Sequence, residues 1–330
     1  MATVPLTAAA VRAAHQRLQG AVLETPLVPS PWLSAATGCD VRLKLENLQH
    51  TGSFKFRGAC HALHCLTPAE RQRGVVAASS GNHGLALATA ARALGTSATV
   101  FVPESTPVAK REAIARRGAT VEVHGADCVV TEGRARQHAA AHGQVYVSPY
   151  NDAAVVVGQG TVAVELLAQW PEVETVYVAL GGGGLLGGMA LWAAAAKPAL
   201  ELVGCSPLAS PAMAECVRAG AIVDVPCGPT LSDSTAGGVE AAAVTFPLCR
   251  DLVQRYLEVD EAAIAAALVG CLEHQHLLVE GAAAVAFAAC LADRARRGQR
   301  VAVVVCGGNL PLATLRTVLA TPPSPNAARR

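Results

Sequence analysis

The stretch VETVYVALGGGGLLGGMALWAAAA, Val173 to Ala196, runs from an apolar segment through a row of glycines into an alanine-rich helical pattern. It reads as a strand (Val173–Leu180), a glycine loop (Gly181–Gly184) and a helix (Leu185–Ala196). Outward from it the alternation repeats. Further strand candidates are Val75–Ala78, Ala98–Val102, Thr120–Val123, Val145–Val147, Leu200–Cys205 and Val301–Val305. Helix candidates are Asn82–Leu94, Val108–Arg117, Asp127–His142 and Ala153–Gln169. Repeated βαβ units predict an α/β fold, its parallel strands covered by helices on both faces. The strand runs are apolar throughout, as doubly covered strands are. Residues 50–147 predict a small sheet of their own, and residues 1–49 with 148–320 a larger one. The expectation is therefore two doubly wound open sheets, followed by a disordered tail at Thr321–Arg330 (TPPSPNAARR).

Composition narrows the function. Hydrophobic residues are 52% of the 330 and charged residues only 15%, which excludes disorder and implies a large interior. The 26 basic and 25 acidic residues nearly cancel. No cationic surplus exists to neutralise a nucleic acid or to hold an anionic membrane. The longest uncharged apolar stretch, Leu185–Ala196, is 12 residues, well short of the ~20 a spanning helix needs. The opening MATVPLTAAAVRAAHQ lacks the basic and apolar regions of a secretory signal. Eleven cysteines without a CxxC or a Cys/His ligand spacing predict reduced thiols in a cytoplasmic protein.

Four constellations carry chemistry. In KLENLQHTGSFKFRGA (Lys44–Ala59), Ser53 reads as the N-cap of a helix with Lys55 in its first turn. A lysine at that positive helix end, between Phe54 and Phe56, has a lowered pKa and can attack a carbonyl. Alternatively it is a surface lysine with a snorkelling stem. Ser79-Ser80-Gly81-Asn82-His83-Gly84 follows a strand and opens a helix, which suits a carboxylate. Its bland reading is an ordinary capping turn, with His83 a packed histidine. Gly181–Gly184 before a helix suits a phosphate, because four consecutive glycines are too costly in backbone entropy for a mere turn. The same residues satisfy GxGxxG at Gly182, Gly184 and Gly187. A dinucleotide site would, however, place its acidic residue at the end of the second strand, and Glu201 precedes that strand. Cys306, in CGGN after Val301–Val305, is either a packing thiol or a ligand.

Taken in order, KLENLQHTGSFKFRGA, SSGNHG, GGGGLLGG and CGGN resemble the serine/threonine dehydratase family of fold type II pyridoxal-phosphate enzymes. The family includes serine racemase and has a tryptophan synthase β-like architecture. Further matches are Thr25-Pro26-Leu27, GQGT (Gly158–Thr161), LSDSTAGG (Leu231–Gly238) and EGAAA (Glu280–Ala284). The resemblance implies that Lys55 holds pyridoxal 5'-phosphate as a Schiff base and then acts as the base at Cα. It implies Phe54 against the cofactor ring, Asn82 at its phenolic oxygen, Gly181–Gly184 and Leu185 around its phosphate, and Cys306 beside its pyridine nitrogen. Ser79, Ser80, Gly81 and Asn82 would bind the substrate carboxylate, and Ser80 falls where the racemases carry a second catalytic base.

The implied activity is an ammonia-lyase that converts L-threonine, L-serine or a related β-hydroxy amino acid into a 2-oxo acid and ammonium. The implied assembly is a homodimer or higher homo-oligomer. Alternatives are a serine racemase, a β-replacing synthase of the cysteine synthase kind, and, from the GxGxxG, an NAD-dependent oxidoreductase. Three departures from the family pattern shape the expectation. Ser206–Ala212 (SPLASPA) lacks the carboxylates of metal-dependent members, so no divalent site is expected. Tyr150 stands where racemases carry asparagine, which narrows the space near the ring and disfavours racemisation. The chain ends at 330, which leaves no room for the regulatory domain of biosynthetic threonine dehydratases.

Overall fold

Short β-branched runs set the two sheets, and the computed structural model places them over residues 4–296 and 298–320. Among the described residues the strands are β1 (Leu27–Pro29), β2 (Asp40–Lys44), β3 (Val75–Ala78), β4 (Ala98–Val102), β5 (Thr120–Val123), β6 (Val145–Tyr146), β7 (Thr175–Ala179), β8 (Glu201–Pro207), β9 (Arg255–Val259) and β10 (Arg300–Val304). The larger sheet has the order β1-β2-β10-β7-β8-β9, and the smaller one β5-β4-β3-β6. All pairings are parallel except β1 with β2. The α/β class with two open sheets is thus observed. The expected tail at Thr321–Arg330 lies outside the described residues.

The central strands are buried because both faces are covered. Val176, Val178, Val203 and Val303 are all inaccessible in the larger core, together with Ala283, Val285 and Phe287 of the helix Gly281–Ala292. A second core of Val75, Ala77, Val100, Leu87 and Ile114 underlies the smaller sheet. β5 and β9 are among the strands that escape the apolar pattern. β5 is largely exposed, since it is an edge strand with a neighbour on one side only. β9 (RYLEV), also at an edge, carries charges at Arg255 and Glu258 and offers no apolar run to read.

The helix Lys55–His64 is anchored from beneath by charge. Arg57, with no exposed surface, donates from Nε to Glu46 Oε2 at 2.7 Å and from Nη2 to Glu165 Oε2 at 2.8 Å. Lys44 Nζ meets the same Glu165 oxygen at 2.7 Å and the Thr25 carbonyl oxygen at 2.7 Å. Two cations and two anions, all buried, thereby tie this helix to β2, to the helix Ala153–Gln169 and to the N-terminal segment. Removing one partner would strand an opposite charge in the interior.

The expected cap at Ser53 is not formed. The N-cap is Phe54, which makes no side-chain cap bond, and Ser53 instead bridges Gly307 in the loop after β10. That bridge, with the Phe54 N–H donating to the Cys306 carbonyl at 3.0 Å, carries the start of the helix to the end of the larger sheet.

Candidate active site

Where β7 and β10 end, the chain leaves a cavity between the two sheets. It is lined by Phe54, Lys55, Asn82, Tyr150, Gly181–Leu185, Ser234–Gly238, Glu280 and Cys306. Three of the four sequence constellations converge on it directly, and the serine-rich turn does so only through Asn82.

Lys55 is the first helical residue and donates from Nζ to the Pro149 carbonyl at 2.8 Å. Burial lowers its amine to about 8, against the opposing pull of Cys306 and Glu280. The lowered pKa expected from sequence therefore holds, but its main cause is lost solvation rather than the helix end. At neutral pH an appreciable fraction of the amine is free of its proton. Cys306 is 1% exposed. Burial and the neighbouring Glu280 push its thiol well up, so it stays protonated and neutral.

Asn82 Nδ2 donates to Glu280 at 2.9 Å, and its Oδ1 accepts from Asn309 Nδ2 at 2.7 Å. Glu280 also accepts from Ser234 Oγ at 3.1 Å, and its carboxyl is raised by burial despite these bonds. The sequence pattern assigns Glu280 no role, although its segment EGAAA is among the family matches. An acid just before an alanine-rich helix reads as a cap, yet Glu280, which is the N-cap of Gly281–Ala292, makes no cap bond and faces the cavity instead. Ser234 escapes sequence reasoning for a related reason, since a hydroxyl in a Ser/Thr/Gly loop carries no distance information.

Ser79, Ser80 and Gly81 are half-buried before the helix Asn82–Ala93 and do not line the cavity. Ser79 Oγ accepts the Gly81 N–H at 3.3 Å. His83 is a packed histidine. Its Nε2 bonds the Val147 carbonyl at 2.9 Å, and burial, with Lys55 nearby, lowers it to about 3.

The glycine loop turns at Gly183, whose φ of +82° favours glycine, into the helix Gly184–Ala196. Tyr150 lies flat on this loop: a Cβ at Gly182 would come within 2.4 Å of its ring, and its Oη accepts the Glu240 N–H at 3.0 Å. Across the cavity, Gly237 and Gly238 have no atom within 4 Å of where a Cβ would stand. A bare backbone wall, a glycine loop at a helix N-terminus and a buried amine together suit a flat aromatic ring bearing an aldehyde and a phosphate.

Gly182→Val is therefore expected to displace Tyr150 and close the loop. Overpacking of this kind costs about 1–3 kcal/mol, so pyridoxal phosphate should bind about tenfold more weakly or worse. Titration of the apoprotein checks this, and unchanged affinity would make the loop a structural turn.

The Ser206–Ala212 loop offers no carboxylate, and its hydroxyls are engaged. Ser206 Oγ donates to the Leu180 carbonyl at 3.3 Å, and Ser210 Oγ accepts the Gly237 N–H at 3.1 Å. Among the described residues no three His, Cys, Asp or Glu side chains are grouped as a metal ion needs. The loop thus presents hydroxyls and carbonyls but no carboxylate, whereas a hard divalent ion is held mainly by carboxylate oxygens. EDTA should accordingly leave turnover and melting temperature unchanged, because a bound ion would stabilise the fold by mass action. A loss restored by Mg²⁺ would contradict this.

Comparison with known proteins agrees with the cavity. Residues 18–307 match the family model for pyridoxal-phosphate dependent enzymes. An L-threonine ammonia-lyase from Thermotoga maritima is 36% identical over 309 residues, 94% of this chain and 77% of that protein. An L-threo-3-hydroxyaspartate ammonia-lyase from a Pseudomonas species is 37% identical over 307 residues, 93% of this chain and 96% of that protein. The structure of maize serine racemase superposes with a TM-score of 0.90 at 32% identity, covering 95% and 96% of the two chains. No helix among the described residues is long and apolar enough to cross a membrane. With a buried lysine amine and a glycine loop in one cavity, and with relatives matched along nearly its whole length, the chain belongs to the family of pyridoxal-phosphate dependent enzymes, among its ammonia-lyases.

Proposed function

We propose that the protein dehydrates L-threonine, L-serine or a related β-hydroxy amino acid to a 2-oxo acid and ammonium. The observation that carries the reading is the pairing of a partly neutral Lys55 amine with a neutral Cys306 in one cavity. Pyridoxal phosphate, when bound, supplies the electron sink that acidifies the substrate Cα–H. Lys55 Nζ is the group placed to take that proton, since its depressed pKa suits a base near neutral pH. The same nitrogen can return the proton to the leaving β-hydroxyl, so that water departs and the enamine left behind hydrolyses. Cys306, held as a thiol, brings no negative charge to the ring position assigned to it. A carboxylate there would fix a ring proton and favour side reactions such as transamination. Asn82, tied to Glu280 and Asn309, holds the ring's orientation.

The N-terminal amides of the helix Asn82–Ala93, whose first residue reaches the cavity, suit the substrate carboxylate, with Ser79, Ser80 and Gly81 shaping the turn behind it. Ser80 does not line the cavity, and Tyr150 occupies space beside the glycine loop; both favour elimination over a two-base racemisation. The division of the chain into residues 50–147 and the remainder belongs to this proposal, as two bodies that enclose the substrate.

The test is 2-oxo acid release across a panel of threonine, serine, 3-hydroxyaspartate and phenylserine, with chiral analysis of unreacted substrate. Racemised serine without 2-oxo acid would overturn the assignment.

A further inference from the structure

The cavity wall Ser234–Gly238 is bracketed by two acids, and each is paired with a cation from the other sheet. Lys110 Nζ, on the helix Val108–Ala115, lies 3.5 Å from Asp233 Oδ2. Arg136 Nη2, on the helix Cys128–His142, lies 2.9 Å from Glu240 Oε2. Every residue from Ser234 to Gly238 lines the cavity. The segment itself belongs to the larger sheet's side. Ser234 bonds Glu280, the Gly237 N–H donates to Ser210 Oγ, and Asn151 Nδ2 donates to Glu240 Oε2 at 2.8 Å. Both cations come from helices packed on the smaller sheet.

We propose that residues 233–240 form a strap across the cavity, drawn shut by Lys110–Asp233 and Arg136–Glu240, and that Lys110 and Arg136 are positioning residues for substrate retention. The idea rests on the cavity being where the reaction occurs. Separation of the two sheets would stretch both pairs at once, because anions and cations sit on opposite sides of the opening. Their exposure suits the task. All four side chains are partly or well exposed, unlike the buried Arg57 cluster. Exposed pairs are weak and screened by salt, so they can break and re-form with each turnover. Buried ones hold permanently.

The experiment uses holoenzyme carrying Arg136→Glu, Glu240→Arg, and both together. Each single reversal is expected to raise KM about threefold, the scale of an exposed ion pair, with kcat within about twofold. The double swap should restore KM. Glu240→Gln, a milder change, should move KM the same way by less, and Glu132→Gln, which removes only the pairing within the helix, should not. Independently of turnover, acrylamide should quench the bound cofactor's fluorescence more strongly in the single reversals, and in the wild type at high salt. Unchanged KM and unchanged quenching in both singles would overturn the strap, as would a double swap no better than either single. Should no β-hydroxy amino acid react, the quenching arm alone decides, and the failure then falls on the substrate assignment.

Discussion

Replacing Lys55 by alanine is expected to reduce turnover by at least about 10³-fold, the range for a lost base that is also the nucleophile. The bound cofactor's visible absorbance should disappear with it. The fold should survive, because the change removes a buried amine that donates to a backbone carbonyl, that of Pro149, and breaks no ion pair of the Arg57 cluster. Near-normal turnover in Lys55→Ala would exclude the assignment. The same residue predicts a pH dependence. Its amine reacts only when neutral, and burial lowers it from 10.5 to about 8. Cofactor uptake by the apoprotein should therefore rise with pH through about 8 and level off above it. An inflection near the ordinary lysine value would mean that the cavity is wetter than its geometry implies.

Arg57→Met should cost about 3–5 kcal/mol of stability, the range for breaking a buried ion pair. Arg57 has no exposed surface and donates to both Glu46 and Glu165, so its loss leaves two buried carboxylates facing Lys44 alone. Arg57→Lys should recover only part of this, since an ammonium cannot fork between two carboxylates. Burial by itself would raise Glu165, but bonds from Arg57 and Lys44 hold it below the usual carboxylate range. Its stabilisation is thus complete above the unfolded-state pKa and fades as pH falls through the lowered folded value. In Arg57→Met the acid-side loss should begin at higher pH. Urea unfolding of the apoproteins across pH measures both effects, and a cost under about 1 kcal/mol would show the cluster to be solvated.

The class of fold was legible because period and composition are local. Val75–Ala78, Ala98–Val102 and the glycine loop with its flanking strand and helix (Val173–Ala196) each announce themselves within one short stretch of chain. Lys55, Asn82 and Cys306 stand out only as an ordered set of motifs, whose resemblance to one family outweighs the bland reading of each. What the tertiary structure decided was burial and partnership across long sequence separations. Glu280 meets Asn82 across 198 residues, and nothing local to EGAAA distinguishes such an acid from a helix cap. Lys55 owes its lowered pKa mainly to lost solvation, which depends on what covers it and not on its neighbours in the chain. Ser53 reads as a cap and is a bridge to Gly307, because the loop after β10 arrives there only when the larger sheet is assembled. The sequence by itself determined the central strands with their helices and most of the chemical groups. Their charge states and mutual distances came from the fold, since desolvation and Coulomb interactions act through space.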